Sequence, residues 1–242
     1  MQKILGYMRK AINEFGMLEN GDRIAVGISG GKDSLVLLKG LAALRSFIGI
    51  DYELNAITID PYFGGKKGGY EPVRELCRDL AVSYTVIDTR IGEIVFDARK
   101  EPNPCSLCSR MRRGALLNAA KELGCNKVAL GHNFNDAVET FVMNLTMEGR
   151  LGCFSPVCTL DNRDITIIRP LVLAPEKDIK SAAVRNALPV VKSQCPADGS
   201  TARQRIKAEL AEYEKNNRGV TVRIFGALRR SGLDGWGINE KP

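Results

Sequence analysis

The chain has 242 residues, of which 44% are hydrophobic and 26% are charged, proportions that are typical of a soluble globular protein. It has no run of about 18 apolar residues and no signal-peptide core near its N-terminus, so we expect no membrane association and a cytoplasmic location. Without a secretory signal, the seven cysteines indicate thiols, metal binding or catalysis rather than structural disulfides.

A net charge of +7 and an isoelectric point near 9.1 favour a polyanionic partner. Aromatic residues make up only 6% of the chain, which argues against a platform for stacking bases and favours phosphate contacts to a folded RNA. The basic residues form three clusters: Arg110, Arg112 and Arg113; Arg203, Arg205 and Lys207; Arg223, Arg229 and Arg230.

Residues 2–17 carry apolar side chains at helical spacing and predict an N-terminal helix that ends before Asp22. We therefore treat residues 1–22 as a first unit. Residues 23–28 follow as a short buried strand, and a second helix is expected from Ser34 to about Phe47.

Small residues join this strand to this helix, and we call residues 29–34 the glycine loop. Such a loop lets successive backbone N–H groups converge on an anion at the positive end of the helix dipole. The predicted ligand is a phosphate. The residues assigned to it are Ile28, Ser29, Gly30, Gly31, Lys32, Asp33 and Ser34.

The type of phosphate site follows from the spacing. Val26 and Asp33 stand where a Walker A loop needs glycine and a hydroxyl residue, and the glycines do not have the dinucleotide-binding spacing. The pattern Ser-Gly-Gly-x-Asp-Ser resembles the loop of the PP-loop ATP pyrophosphatases, which implies cleavage of ATP between its α and β phosphates. The alternative is an ordinary glycine-rich turn.

A strand at 54–59, a helix at 71–80 and a strand at 83–87 come next and predict a doubly wound parallel α/β sheet. Asp60 follows the second strand, so it is expected either at the ribose or adenine of a nucleotide or as a turn residue. The glycine- and lysine-rich segment 63–69 is interpreted as a linker loop or a lid that touches phosphate.

Cys105 and Cys108 form a CxxC motif that opens a helix, where the helix N-terminus favours thiolate. Zinc, an iron–sulfur cluster and a redox dithiol all remain open for this motif alone. Cys195 is the third candidate, and three thiolates suit a 4Fe-4S cluster with one open iron. The rival is a zinc site completed by His132 or by one of the four cysteines otherwise assigned to the core, which are Cys77, Cys125, Cys153 and Cys158.

A strand at 127–130 delivers Gly131 and His132 to the edge where a nucleotide is expected. Asp136 is placed there to bind Mg²⁺ or to cap the next helix. His132 is interpreted as a polar residue of the turn in preference to a general base. Glu139, one turn further, is expected to face the site.

A strand at 165–168 and a helix from Pro175 complete the α/β unit, which we place at residues 23–190. The C-terminal helical segment, residues 191–242, contains Cys195 and a charged helix at 201–217. That helix is interpreted as a solvated surface helix. The last ten residues contain several glycines and are expected to be frayed.

Taken together, these motifs resemble the tRNA 2-thiocytidine synthetase family over nearly the whole chain. The motifs are the glycine loop, Cys105-Ser106-Leu107-Cys108, Gly131-His132, Ile168-Arg169-Pro170-Leu171, Glu176-Lys177-Asp178-Ile179 and Cys195. The chain departs from the family pattern at two places. Asn135-Asp136 stands where the family usually has two adjacent acidic residues, and Cys195 is not followed by the second cysteine of a CxxC motif.

The resemblance implies a PP-loop fold, ATP, Mg²⁺, a 4Fe-4S cluster on Cys105, Cys108 and Cys195, and thiolation of a tRNA base, cytidine 32. The sulfur donor would be sulfide or sulfur from a cysteine desulfurase, and a homodimer is compatible with these expectations. The expected catalytic residues are Lys32, Asp33, Arg112 and Asp136, and Asp60 and Gly131 join the glycine loop as nucleotide-binding residues. Uridine 2-thiolation, a cluster-free tRNA lysidine synthetase and a non-catalytic RNA-binding zinc protein remain alternatives.

Overall fold

In a computed structural model the chain forms a single six-stranded sheet with helices on both faces. The structure describes residues 1–99, 104–161, 163–197, 199 and 201–237. The strands are β1 Asp22–Gly27, β2 Tyr52–Asp60, β3 Ser83–Asp88, β4 Lys127–Ala129, β5 Val157–Leu160 and β6 Ile165–Ile168.

The helices confirm the predicted succession of elements and add one near the C-terminus. They are α1 Gln2–Phe15, α2 Lys32–Leu44, α3 Glu71–Asp79, α4 Pro104–Glu122, α5 Phe134–Met147, α6 Glu176–Arg185, α7 Ala202–Asn216 and α8 Val220–Arg230. Short 3₁₀ turns at Phe63–Gly65 and Leu233–Gly235 and a π-helical turn at Glu93–Ala98 complete the set. Within the described ranges, no helix combines the length and the apolar character that a bilayer span requires.

The strands lie in the order β3-β2-β1-β4-β6-β5, and all neighbours are parallel except β5 and β6. This confirms the doubly wound parallel sheet. The order runs outward from β1 to β3 and then resumes on the other side of β1 with β4, so the loops after β1 and β4 leave the sheet side by side. Doubly wound folds bind ligands in this crevice.

The antiparallel edge strand β5 was not predicted from the sequence. It forms a hairpin with β6 in which Val157 pairs with Ile168 and Leu160 with Ile165. A short connection allows only an antiparallel pair, because a parallel pair needs a long crossover. The predicted parallel sheet is therefore correct for β1, β2, β3, β4 and β6, and β5 is the exception.

Both ends of the chain pack into the core of the α/β unit. Ile4, Met8 and Ile12 of α1 belong to the same buried cluster as β1 and α2, and so do Phe225 and Leu228 of α8. On the other face of the sheet, α4 covers a second cluster. The hydrophobic core is continuous across the predicted unit boundaries after residues 22 and 190. The division into units at these residues stays a prediction.

The expectation of a frayed C-terminus is wrong for residues 233–237, and residues 238–242 lie outside the described part. Trp236 is completely buried, and its ring meets Phe15 and Phe225 edge-on. Its indole Nε1 donates a hydrogen bond of 2.8 Å to the carbonyl oxygen of Phe154. A large buried aromatic ring outweighs the conformational entropy of the neighbouring glycines.

Candidate active site

The glycine loop is closed by its own hydroxyl groups. The Ser34 hydroxyl accepts a hydrogen bond from the Ser29 N–H (3.2 Å) and donates one to the Gly31 carbonyl oxygen (2.9 Å). The Ser29 hydroxyl accepts from the Gly31 N–H, and Gly30 has a positive φ of 80°. The first N–H groups of α2, which begin at Lys32, have no partner within the helix and are suited to an anion.

Ile28 and Gly131 fix the loop against the sheet. The Ile28 N–H donates to the carbonyl oxygen of Ile57 on β2 at 2.8 Å. Gly131 follows β4 so closely against the start of α2 that an added Cβ would lie 3.1 Å from the Ser34 nitrogen. The close backbone approach therefore favours glycine at position 131, which agrees with its predicted place beside the glycine loop.

Lys32 is held by two carboxylates. Its Nζ lies 2.9 Å from Oδ2 of Asp33 and 2.9 Å from Oε1 of Glu176, the first residue of α6. Burial opposes the charged form of Lys32, but the two carboxylates outweigh it and raise its pKa. The other Glu176 oxygen lies 2.5 Å from Nζ of Lys207. Lys32 is thus a fixed ammonium group beside the N-terminus of α2.

Asn133 connects the two predicted acidic residues. Its side-chain amide donates to Oδ1 of Asp33 at 3.1 Å, and its side-chain oxygen accepts from the Asp136 N–H at 3.2 Å. The Asn133 N–H in turn donates to Oδ2 of Asp136 at 2.9 Å, which completes a capping box on α5. Burial raises the pKa of Asp136 despite this bond and the charge of Arg203. The capping role is confirmed, and Mg²⁺ binding stays a prediction.

Arg203 of α7 reaches the same carboxylate. Its guanidinium donates to the Thr140 hydroxyl at 2.9 Å and lies 3.4 Å from Oδ1 of Asp136 and 3.6 Å from Oε2 of Glu139. Glu139 is buried; this burial and the charge of Asp136 raise its pKa to about 7. The interpretation of α7 as a purely solvated helix is therefore wrong for the face that carries Arg203 and Lys207.

Asp60 serves as a turn residue in this structure. Its carboxylate is buried and accepts hydrogen bonds from the Tyr62 N–H at 3.0 Å and the Gly68 N–H at 2.8 Å. It thereby ties the glycine- and lysine-rich segment to the end of β2, and Lys67 of that segment pairs with Asp88 at 2.6 Å. Of the two roles predicted for Asp60, the structure shows the turn, and a contact to the nucleotide stays a prediction.

His132 is fixed as a neutral ring. Its Nδ1 accepts a hydrogen bond from Nε of Arg169 at 3.1 Å, and its ring stacks on Phe154 with centroids 4.8 Å apart. Burial and the charge of Arg169 lower its pKa to about 3. A group that stays neutral and already accepts a hydrogen bond is suited to fixing the turn, as predicted.

The three candidate cluster cysteines act on one another electrostatically, and the segment before Cys195 contacts the glycine loop. Cys105 and Cys108 lie in the first turns of α4, and the Val191 N–H donates to the Gly30 carbonyl oxygen at 2.9 Å, which brings the segment before Cys195 onto the loop. Burial and the Cys195 thiol raise the pKa of Cys105. Burial also raises the pKa of Cys108. The charge of Arg112 lowers this pKa, and the Cys195 and Cys105 thiols raise it.

These shifts differ from the expected preference for thiolate at a helix N-terminus, because burial and repulsion between neighbouring thiolates prevail. Across the described ranges, no three His, Cys, Asp or Glu side chains lie close enough together to hold a metal ion. Cys105, Cys108 and Cys195 are electrostatic neighbours whose sulfur atoms would have to draw together around a metal group.

The remaining four cysteines each lie in a different part of the fold. Cys77 is a buried residue of α3, Cys125 accepts from the Asn55 side chain at 3.6 Å, and the Cys153 thiol donates to the Ala137 carbonyl oxygen at 3.4 Å. Cys158 lies on β5. They are core or strand residues, as predicted, and the structure offers no support for one of them as a fourth zinc ligand.

Comparison with known proteins places this site in a family. The model of the PP-loop domain matches residues 4–214. The tRNA-cytidine(32) 2-sulfurtransferase of Geobacter sulfurreducens is 38% identical over 230 residues, which cover 94% of this chain and 89% of that protein. Its counterpart in Pelobacter propionicus is 42% identical over 222 residues, covering 90% and 82%. The chain belongs to the tRNA-cytidine(32) 2-sulfurtransferase family of PP-loop proteins.

A solved structure extends the likeness within this PP-loop fold. The U34-tRNA thiolase NcsA from Methanococcus maripaludis, determined with its 4Fe-4S cluster, is 26% identical, with a TM-score of 0.75. The match covers 92% of this chain and 76% of that chain. The family resemblance that the motifs indicated is thereby confirmed, as are the α/β fold class and the classification as a transferase enzyme.

For this member of the 2-sulfurtransferase family, the structure brings most of the predicted site together. Gly131 and Asp136 lie against the glycine loop through Ser34 and Asn133. Arg112 is half-buried on α4, where its charge acts on Cys108 and Tyr70, and it makes no ion pair with any residue that the structure describes. No observation assigns it a catalytic role, so that role stays a prediction.

The site residues that sequence reasoning missed are Asn133, Glu176, Arg203 and Lys207. Arg203 and Lys207 are four residues apart and therefore lie on one face of a helix, which is a signal that the basic cluster offered. Glu176 belonged to a family motif and to a helix predicted from Pro175, but no role was assigned to it. Its pairing with Lys32 depends on how α6 packs on α2, which no local pattern reveals.

Proposed function

We propose that this protein is an ATP-dependent tRNA 2-sulfurtransferase that replaces the C2 oxygen of cytidine 32 with sulfur. Identity of 38% and 42% to curated 2-sulfurtransferases over at least 90% of the chain supports the reaction class. The observation that carries the proposal is the hydrogen bond from Val191 to Gly30, because it joins the phosphate loop to the segment that bears Cys195. An activated base and a sulfur source could then meet at one place.

In the proposed first step, the C2 oxygen of the base attacks the α-phosphorus of ATP, a new P–O bond forms and pyrophosphate leaves. The N–H groups at the start of α2 would bind the departing phosphates, and the Lys32 ammonium would offset their charge. Mg²⁺ would share this task, and Asp33 and Asp136, which Asn133 holds together, are its proposed ligands.

In the second step, sulfur at the sulfide level adds to C2, the C2–O bond breaks and AMP leaves with the former C2 oxygen. One proton is released when the sulfur arrives as hydrosulfide, and no electrons are exchanged. Arg112, half-buried and without an ion pair in the described part of the chain, is proposed to neutralise the leaving AMP or to hold an RNA phosphate.

Cys105, Cys108 and Cys195 are proposed to hold a 4Fe-4S cluster. Thiolates are the ligands that such clusters use, and the Cys195 thiol acts electrostatically on both Cys105 and Cys108. When bound, a cluster on three thiolates supplies one open position for an exogenous sulfur ligand. The sulfur would come from sulfide, or from a cysteine desulfurase together with a two-electron reductant, such as a thiol, that brings its persulfide sulfur to the sulfide level. Action on tRNA fits a cytoplasmic location.

The test compares Cys195→Ala with Cys158→Ser, which changes a cysteine on β5. Both proteins are purified anaerobically, and iron content, pyrophosphate release from ATP and thiolated tRNA are measured. We expect Cys195→Ala to lose iron and thiolation while it still binds ATP, and Cys158→Ser to keep all three. A Cys195→Ala protein with full thiolation would overturn the proposal.

Uridine 2-thiolation is the second candidate, and the likeness to the U34-tRNA thiolase favours it. Nucleoside analysis by mass spectrometry of tRNA from a deletion strain separates the two. Loss of 2-thiocytidine supports the proposal, and loss of 2-thiouridine with 2-thiocytidine intact supports the alternative. If the protein were a lysidine synthetase, the deletion strain would instead lose lysidine, the lysine-bearing cytidine.

The formation of a homodimer stays a prediction.

A further inference from the structure

A wide cleft lies on the helical side of the molecule, next to the proposed active site. It has a volume of about 740 Å³ and is formed by side chains of α1, α5, α6, α7 and α8 and of the segment before α6. Cavities of this size accommodate ligands as large as a nucleotide. The glycine loop does not line the cleft, so it is distinct from the proposed phosphate site of ATP.

Positive charge dominates the cleft. Five basic side chains line it, against two acidic ones, Glu176 and Glu214. Glu176 is neutralised by Lys32 and Lys207. Glu214 accepts hydrogen bonds from the Gly219 and Thr221 N–H groups and from the Thr221 hydroxyl. Lys207 and Arg229 are paired with Glu176 and Glu14, which leaves three lysines against Glu214 and a potential that attracts anions.

Three of the basic residues are free to meet a ligand. Lys10 on α1 and Lys177 and Lys180 on α6 are exposed, and none makes a salt bridge or hydrogen bond with a residue in the described ranges. Their arrangement on two helices across one concave surface differs from a row of lysines on a single solvated helix. Flexible ammonium groups of this kind bind phosphate as point charges.

The cleft also connects to the active site through shared residues. Glu176 and Lys207 line it, and Glu176 is the residue that holds Lys32. The aromatic rings of Phe134 and Phe225, 4.4 Å apart between centroids, form part of the floor. A polyanion that lies in the cleft would therefore lie beside the carboxylate that holds Lys32.

We propose that this cleft binds the sugar–phosphate backbone of the RNA substrate next to the target nucleotide, with Lys10, Lys177 and Lys180 as phosphate ligands. The proposal rests on the proposed function for the identity of the RNA. Charge complementarity favours RNA over a neutral occupant, because it is the substrate in which several phosphates follow one another at short intervals.

The test measures binding of unmodified tRNA to the full-length protein by filter binding at several salt concentrations. Lys10→Ala, Lys177→Ala and Lys180→Ala are compared with Lys121→Ala, an exposed lysine in the last turn of α4. Each cleft variant should weaken binding and lower the slope of log K against log salt by about 1. The Lys121 variant should match the wild-type slope, and thermal melting should show equal stability.

Three results would overturn the proposal. One is an unchanged slope of log K against log salt when Lys10, Lys177 and Lys180 are all replaced by alanine in one protein. Another is a loss of affinity for inorganic pyrophosphate or ATP rather than for tRNA, which would make the cleft a site for free phosphates. The last is unchanged tRNA affinity with slower thiolation from a cysteine desulfurase but not from free sulfide, which would indicate a protein donor. The salt dependence of tRNA binding is measured without catalysis. A protein that binds tRNA through the cleft but does not thiolate it would therefore contradict the proposed function and not the proposed RNA-binding cleft.

Discussion

The Nζ atom of Lys32 lies 2.9 Å from Oε1 of Glu176, and Nζ of Lys207 lies 2.5 Å from the other oxygen of the same carboxylate. A lysine placed to meet phosphate is thus paired with an internal anion. Burial opposes ionisation of Glu176, whereas Lys207 and Lys32 favour it. The two lysines prevail, so the pKa of Glu176 is lowered and the carboxylate is charged at neutral pH. In the proposed function, ATP competes with this carboxylate for Lys32.

Replacing Glu176 with Gln should therefore strengthen ATP binding. The competing charge disappears, and because such a partly exposed pair contributes up to about 1 kcal/mol, we expect the Kd to fall by about 2- to 5-fold. Equilibrium binding of ATP with Mg²⁺ measures it. Glu212→Gln, which breaks an exposed pair with Lys215 at 2.7 Å, is the matched control and should have no effect. Weaker binding in the Glu176 variant would mean that this carboxylate orients Lys32.

Gly131→Ala should disable the glycine loop without unfolding the protein. The new Cβ would lie 3.1 Å from the Asp33 carbonyl carbon and from the Ser34 nitrogen, so the backbone at the start of α2 must shift. We expect loss of most ATP-dependent pyrophosphate release, about 100-fold or more, since misplaced donors commonly cost this much. Gly6→Ala in α1, where a Cβ meets nothing within 4 Å, is the control and should leave activity unchanged and raise stability slightly. Normal activity of Gly131→Ala would contradict the close approach.

His132 should make the protein sensitive to acid. Its pKa is about 3 in the folded chain and near 6.5 when unfolded, so between these values the unfolded chain binds one more proton and stability falls as the pH falls. His132→Asn keeps an acceptor for Arg169 but cannot titrate. Between pH 7.5 and 4.5, the free energy of unfolding in urea should fall by about 2–3 kcal/mol more for the wild type than for the variant. Equal losses would show that another group is responsible.

Trp236 should contribute to the stability of the whole fold. Trp236→Ala removes a completely buried ring and should lower the free energy of unfolding by about 3–5 kcal/mol. Trp236→Phe keeps much of the packing but loses the hydrogen bond to Phe154, which should cost about 1 kcal/mol. Tyr213→Ala, at a residue that is 55% exposed, is the control and should change stability by less than about 0.5 kcal/mol. Urea unfolding followed by far-ultraviolet circular dichroism measures all three, and a fully stable Trp236→Ala protein would restore the expectation of a frayed end.

Much of the fold and part of the site could be predicted because the signals are local. The order of apolar and polar residues predicted β1, β2, β3, β4 and β6 close to their observed bounds. Ser29 to Ser34 define their own turn through contacts within six residues. The edge strand β5 was missed, since three half-buried residues and one exposed residue carry no clear alternation and are a strand only because β6 pairs with them.

The amino-acid sequence by itself determined the phosphate loop, the alternation of strands and helices and the cysteine motif, because these depend on neighbours along the chain. Only the tertiary structure decided that Glu176 holds Lys32, that Arg203 reaches Asp136 and that Trp236 is buried against Phe154. A charged residue on a helix has the same sequence pattern whether its side chain meets water or a distant carboxylate. The partner is set by how whole elements pack, which is a property of the folded chain.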